Sequence, residues 1–190
     1  MEIGQQTEFQ EQDQQQSTQQ NQSKLVPFVQ IDGEWILSDT FMISVFDKIV
    51  EQDLLKTTFW EGTIVDASQF LGMAKSPNNH VVLFFQEQNC VGLAWLSAVT
   101  SNYAFGHFCL FRETWGHSVN IGKTCVDYWF SWPGTGGPLL DVIIGIMPGF
   151  NKRAHKYIEN LGFTRLGRIP GMFRDKERNR EDAVIYYTSR

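Results

Sequence analysis

Residues 139–147, LLDVIIGIM, form a run broken only by Asp141 and Gly145, and it constrains the fold more than any other stretch. An alternating strand leaves one face to water, whereas a continuous apolar run fits a strand covered on both faces. A capped helix follows almost at once in NKRAHKYIENLGF, residues 151–163. Asn151 suits the N-cap, and Ala154, Tyr157, Ile158 and Leu161 share one stripe. Gly162 suits the left-handed turn that ends such a helix. A buried strand needs neighbours, and the chain supplies them. HVVLFFQ (80–86) and CVGLAWLSAV (90–99), joined by the turn EQN, read as a hairpin. YAFGHFCLFR (103–112) follows as a third strand, and FTRLGRIPGMFR (163–174) and DAVIYYTS (182–189) as the last two.

Three further segments carry the helical period. SDTFMISVFDKIVEQDLL (38–55) places Phe41, Met42, Val45, Phe46, Ile49 and Val50 on one stripe behind a Ser/Asp start. VDASQFLGMAKS opens on Asp66 with Gln69 three residues on, a capping-box spacing, with Val65 and Phe70 flanking it as a staple. HSVNIGKTCVDYWFSW repeats Val119, Ile121, Cys125, Val126, Trp129 and Phe130, and PGTGGP stops it. Its GKT is not a phosphate-binding loop: five residues separate Gly116 from Gly122 where the motif has four, and the tripeptide lies inside a helical pattern. The expected order is helix, helix, three strands, helix, strand, helix, two strands. That is an α+β fold, a mixed and mostly antiparallel sheet flanked by helices.

Residues 1–24 read as a low-complexity, Gln-rich N-terminal arm and 25–190 as one domain, the right size for a single core in a 190-residue chain. The first 23 residues hold ten glutamines, four acids and no bases. Such a segment has too little apolar surface to offset ordering, so it serves as a passive tail or docks on a protein partner. It lacks signal-peptide and transit-peptide features, and the expected location is cytoplasmic. From Lys24 onward 17 acids face 16 bases, which argues against nucleic-acid binding through bulk charge. The longest apolar runs fall short of the roughly 18 residues needed to span a bilayer. Cys90, Cys109 and Cys125 sit in apolar runs without CxxC spacing, so they read as free thiols, and the histidines show no metal-ligand spacing.

The order of elements and the residues that punctuate it resemble the GNAT superfamily of N-acetyltransferases over roughly residues 38–190. Asn151, Ala154, Gly162 and Phe163 match a recurrent pattern of that family. Leu166 and Gly167 in the next strand, Asp182 before the last strand, and Gly92 after the hairpin turn also fit. The resemblance implies an acetyl-CoA-dependent N-acyltransferase acting on an amine. Acetyl-CoA would lie in a V-shaped opening between YAFGHFCLFR and DVIIGIM. Its pantetheine arm would pair with Cys109, Leu110, Phe111 and Arg112. Its pyrophosphate would meet Gly116, His117 and Ser118 at a helix N-terminus, with Asn151 nearby. The catalytic candidates are Glu113, His117 and Tyr157, with no metal.

Two departures stand out. The family's phosphate loop is glycine-rich, whereas this chain has RETWGHSVNIG, with Trp115 and His117 where small residues are usual. The position that often holds a general-acid tyrosine is Ile158, with Tyr157 one residue earlier, about 100° around the helix. Lys152 and Arg153 occupy the first helical turn, where cations oppose the dipole; they read as solvated surface residues, with contact to a cofactor phosphate the sharper alternative. His107 reads as a core histidine, and Trp60 and Glu61 fall where acceptor amines are often met. RETWGHSVNIGKTCVDYWFSW also resembles GNAT-like proteins of tailed phages. That resemblance implies an alternative, a non-catalytic virion or assembly protein docking through residues 1–24 and located within a virion.

Overall fold

The computed structural model describes residues 23–174 and 179–190. The predicted Gln-rich arm therefore lies almost wholly outside the described residues. One seven-stranded sheet organises the rest, built from β1 (Lys24–Pro27), β4 (Asn79–Gln86), β5 (Asn89–Ser97), β6 (Tyr103–Leu110), β9 (Val142–Pro148), β10 (Thr164–Arg174) and β11 (Arg180–Ser189). Their order across the sheet is β1-β4-β5-β6-β9-β11-β10. Among these, β6 and β9 pair in parallel and the other neighbours are antiparallel. Two short hairpins, β2 (Gln30–Ile31) with β3 (Glu34–Trp35) and β7 (Pro133–Gly134) with β8 (Gly137–Pro138), stand apart from it.

Helices cover both faces. On one lie α1 (Asp39–Glu51), the four-residue α2 (Leu55–Thr58) and α3 (Ala67–Lys75). Met42, Val45, Phe46, Ile49 and Phe70 pack there on Val81, Leu83, Leu93 and Trp95. On the other lie α4 (Ser118–Phe130) and α5 (Lys152–Asn160). Ile121, Cys125, Trp129, Ile158 and Leu161 pack there on Val82, Phe84, Ala94, Leu96 and Ile143. Consecutive β4 residues thus feed opposite cores, as the period of two requires. This two-faced cover explains why HVVLFFQ reads as continuously apolar.

The caps fall where the sequence places them. Ser38 Oγ accepts from Phe41 N–H (3.1 Å), Asp66 Oδ1 from Gln69 N–H (2.8 Å) and Asn151 Oδ1 from Ala154 N–H (3.1 Å). Gln69 Oε1 returns to Val65 N–H rather than to Asp66, one residue outside the expected box, and Val65 stays exposed. Gly162 has φ +93°, the left-handed turn expected after α5. Gly122, Lys123 and Thr124 lie inside α4, as the helical pattern implies.

Seven short elements have no counterpart in the sequence reading: β1, the four strands of the two short hairpins, α2 and the 3₁₀ turn Arg112–Thr114. Each is four residues or fewer, too short to show a period. β1 ends on Pro27 and lies at the sheet edge, where a missing N–H is tolerated. The predicted strand at residues 139–147 begins later, at Val142, and its burial is two-faced only in part. Ile143 and Gly145 are buried, whereas Ile144 and Ile146 are partly open, because the sheet parts beside them.

Candidate functional site

The opening arises from how two strands are tied. β6 and β9 pair at Tyr103↔Val142, Ala104↔Ile143 and Phe105↔Ile144, and the pairing then stops, although β6 runs on to Leu110 and β9 to Pro148. Beyond that point each strand is held by its other neighbour. Phe111 N–H donates to Val91 O beside β5 (3.0 Å), and Gly149 N–H donates to Asp182 O beside β11 (2.9 Å). A gap between two strands leaves backbone polar groups facing it, which a ligand can satisfy.

Three adjoining spaces that share walls lie along the gap. The first, about 330 Å³, is lined by Leu54, Thr57 and Thr58 above, by Phe108, Cys109 and Leu110 of β6, and by Trp115, Ser118, Asn151, Arg153 and Tyr157. A waist of about 110 Å³ follows between Gly106–Phe108 of β6 and Ile146–Pro148 of β9. It shares Thr57, Phe108, Asn151, Ala154 and Tyr157 with the first space. Beyond it lies a third space of about 440 Å³, which shares Trp60, His107 and Ile146 with the waist. Sharing walls in series, the three spaces outline a passage through the sheet from the N-terminus of α4 to the loop after α2.

Of the predicted cofactor residues, Cys109, Leu110, Ser118 and Asn151 line the first space. Phe111 is buried in the α1 core instead, and Gly116 and Arg112 are exposed at its margin. Trp115 forms a wall rather than a plug. Its Nε1–H donates to Leu110 O (3.0 Å), and the guanidinium groups of Arg153 and Arg112 lie 3.9 Å and 5.1 Å from the ring centroid. Nothing lies within 4 Å of where a Cβ on Gly116 would stand, so the turn keeps open space. His117 is the N-cap of α4 and its side chain makes no cap bond to the first-turn amides beside the cleft. The strand gap and cleft fit a long, thin thioester ligand; at the phosphate end a Trp-arginine cluster and a helix N-terminus stand in place of a glycine-rich cradle.

Glu113 must be withdrawn as a general base. Its carboxylate is bound to Lys48 Nζ (2.6 Å) and accepts from Gln52 Nε2 (2.9 Å), away from the residues that line the cleft. Burial works to raise its pKa, but the bonds from Lys48 and Gln52 outweigh it and hold the group below its usual range. Arg112 joins the same fastening: its backbone N–H donates to Gln52 Oε1 (2.7 Å) and its Nε–H to Gln52 O (2.8 Å). Together they lock the 3₁₀ turn Arg112–Thr114 to the end of α1. His117 turns aside as well, its Nε2 lying 2.6 Å from Gln86 Nε2.

Tyr157 does reach the passage and lines both the first space and the waist. Its ring meets Phe108 edge-on at 5.7 Å, and its hydroxyl donates to Ser118 O at 3.4 Å. Burial, with Cys125 nearby, pushes its pKa far above the usual phenol range, so it stays protonated. Ile158 also borders the waist, but its side chain packs into the core against Gly145, which explains why the position one residue on is apolar. At the waist His107 stacks on Trp95 (4.7 Å, 7° between planes), and its Nε2 is 2.9 Å from Ser97 Oγ. Burial lowers its pKa to about 4, so it is neutral at physiological pH. Cys109 is no nucleophile: burial pushes its thiol up to about 12, against a lowering bond from Thr58 Oγ1.

Arg153 and Trp60 carried weak sequence signals, a cation opposing a helix dipole and an aromatic after the first helix. Thr57 and Thr58 carried none, since α2 is a single turn. Trp115 counted as an obstacle in the sequence and is a wall in the structure.

A mixed sheet whose parallel central pair splays open, with a helix N-terminus at one end of the gap, is the fold of the GNAT N-acetyltransferases. Solved structures agree. A spermidine N-acetyltransferase from Vibrio cholerae, in complex with CoA and spermine, matches at TM-score 0.63 and 16% identity, over 87% of this chain and 95% of that one. The microcin C7 self-immunity acetyltransferase MccE, in complex with acetyl-CoA and AMP, matches at 0.67 and 11%, over 90% and 93%. RimL, a ribosomal L7/L12 α-N-protein acetyltransferase in complex with CoA, matches at 0.64 and 10%, over 80% and 90%. No family model matches the sequence, and no curated protein matches it significantly.

Proposed function

We propose that this protein is an acetyl-CoA-dependent N-acetyltransferase acting on an amine acceptor. The single observation that carries this reading is the passage through the sheet. One mouth, beside Trp115, Arg153 and the start of α4, suits a long anionic ligand, and the far mouth leaves separate room for an acceptor. Similar structures bind CoA or acetyl-CoA, which supports the choice of donor.

Ser118, Asn151, Arg153 and the β6 edge at Cys109–Leu110 would hold acetyl-CoA, which when bound supplies an acetyl group activated as a thioester. The acceptor amine must enter the waist uncharged. His107, neutral there, gives it a polar neighbour that adds no positive charge. With Glu113 engaged elsewhere, the amine proton leaves to water in the far space. The proton that the nitrogen still carries after attack would leave the same way, and Tyr157, which lines the waist and keeps its proton, would donate a hydrogen bond to the departing sulfur, which takes its proton from water. No side chain of the chain needs to carry the acyl group.

Calorimetric titration of acetyl-CoA should give a saturable 1:1 isotherm, and a panel of primary amines should release free thiol. No saturable heat at millimolar acetyl-CoA overturns the reading. The virion-assembly alternative places its docking element on residues 1–24, and nothing on the described residues favours it.

A further inference from the structure

The third space differs in chemistry from the other two. Phe59, Trp60, Trp95 and Phe173 surround it with Met172, and Trp60 contacts Phe173 at 3.9 Å between centroids. Several of its polar groups are engaged: Asn79 Nδ2 donates to Met73 O (2.9 Å), and Ser97 is paired with His107 (2.9 Å). One carboxylate lines it among the described residues, that of Glu61, which is exposed at the rim and forms no ion pair among them. An aromatic wall beside one free carboxylate is suited to a single cation on an apolar body. The ring faces attract the cation and the carboxylate neutralises it.

We infer that the acceptor is a primary monoamine carried by an apolar or aromatic body, which Trp60 and Glu61 bind at the far mouth. This rests on the acetyltransferase reading above. The dimensions sharpen the class. The waist, about 110 Å³, admits an unbranched aminomethyl end, whereas the outer space of about 440 Å³ receives the rest. Glu61 meets the amine as an ammonium at the rim, and the amine sheds its proton to bulk water before entering the waist beside neutral His107. A polyamine would bring two or more further charges to walls that offer no second carboxylate among the described residues, and an unpaired ammonium against apolar walls is costly.

The test uses the full chain and two readouts. In thiol-release assays at saturating acetyl-CoA, 2-phenylethylamine and tryptamine should exceed spermidine in kcat/KM at least tenfold. Calorimetry should show 2-phenylethylamine binding to the protein without acetyl-CoA, weakened at least fivefold in Glu61→Gln and in Trp60→Ala. Glu61 is exposed, so its variant should fold normally. Spermidine preferred over the arylalkylamines, or equal 2-phenylethylamine affinity in wild type and Glu61→Gln, overturns the inference. Acetyl-CoA titration separates the two levels: saturable acetyl-CoA binding with the wrong amine preference defeats this inference alone, whereas absent acetyl-CoA binding defeats the enzyme reading and leaves the amine titration to decide whether the site is real.

Discussion

Gly122→Ala tests how Tyr157 is held at the passage. Gly122 lies within α4, where propensity alone makes alanine better by about 1 kcal/mol. Packing says the opposite. A Cβ there would stand 2.7 and 3.0 Å from the two terminal methyls of Leu161 and would overlap the hydroxyl of Tyr157. Overpacking of this kind typically costs about 1–3 kcal/mol, so the net change should be a loss of about 1 kcal/mol. For a domain of this size that is a fall of about 2–4 °C in Tm. Urea denaturation should show a lower midpoint at unchanged slope. The same substitution in a Tyr157→Phe background should cost less by at least about 0.5 kcal/mol, since the overlapping oxygen is gone and contacting residues couple. Acetyl-CoA affinity should fall in Gly122→Ala as the ring is displaced into the cleft. A raised midpoint in the single variant, or strict additivity in the double, would refute the packing argument.

Glu113→Gln should leave the rate of amine acetylation within about twofold. It should cost no more than about 1 kcal/mol of stability, because the Lys48 pair is partly solvated. Its pKa is lowered in the fold, so its contribution is present at neutral pH and lost as pH falls through the folded value; acid titration of wild type against the variant checks the sign. His107 gives a second acid-sensitive component. Its folded pKa of about 4 lies below the usual imidazole value of 6.5, so the unfolded chain takes up a proton first as pH falls. Stability should therefore be full above 6.5 and decline toward pH 4 by up to about 3 kcal/mol, a decline that His107→Gln should lack; equal pH slopes would refute the burial argument. Arg153→Ala should weaken acetyl-CoA binding about tenfold, about 1.4 kcal/mol, and reduce its salt dependence, and unchanged affinity would remove Arg153 from the phosphate end.

The long elements were legible because each satisfies a local rule. Ser38, Asp66 and Asn151 cap helices through bonds spanning three residues, and Gly162 ends α5 by its own backbone freedom. Alternate residues of β4 face two cores, and that leaves a continuous apolar run to read. Of the candidates read from the sequence, Cys109, Leu110, Ser118, Asn151 and Tyr157 line the first space, on strand β6 or at helix positions that local pattern already marks. Glu113 misled because a carboxylate next to a presumed ligand turn reads as a base, while Lys48 and Gln52, about sixty residues away, decide where it points. Tyr157 and Ile158 divided their roles by a rotation of one residue, which only the packing of α5 against Gly145 resolves.

By itself the sequence determined the order and kind of the main elements, since periodicity, caps and turns act over a few residues and need no partner. Tertiary structure decided which strand each neighbour held. That choice opened the gap between β6 and β9, brought Trp60 and Glu61 to one end and Arg153 to the other, and bound Glu113 away from both. Those outcomes depend on contacts between residues far apart in the chain, whose energies no local pattern records.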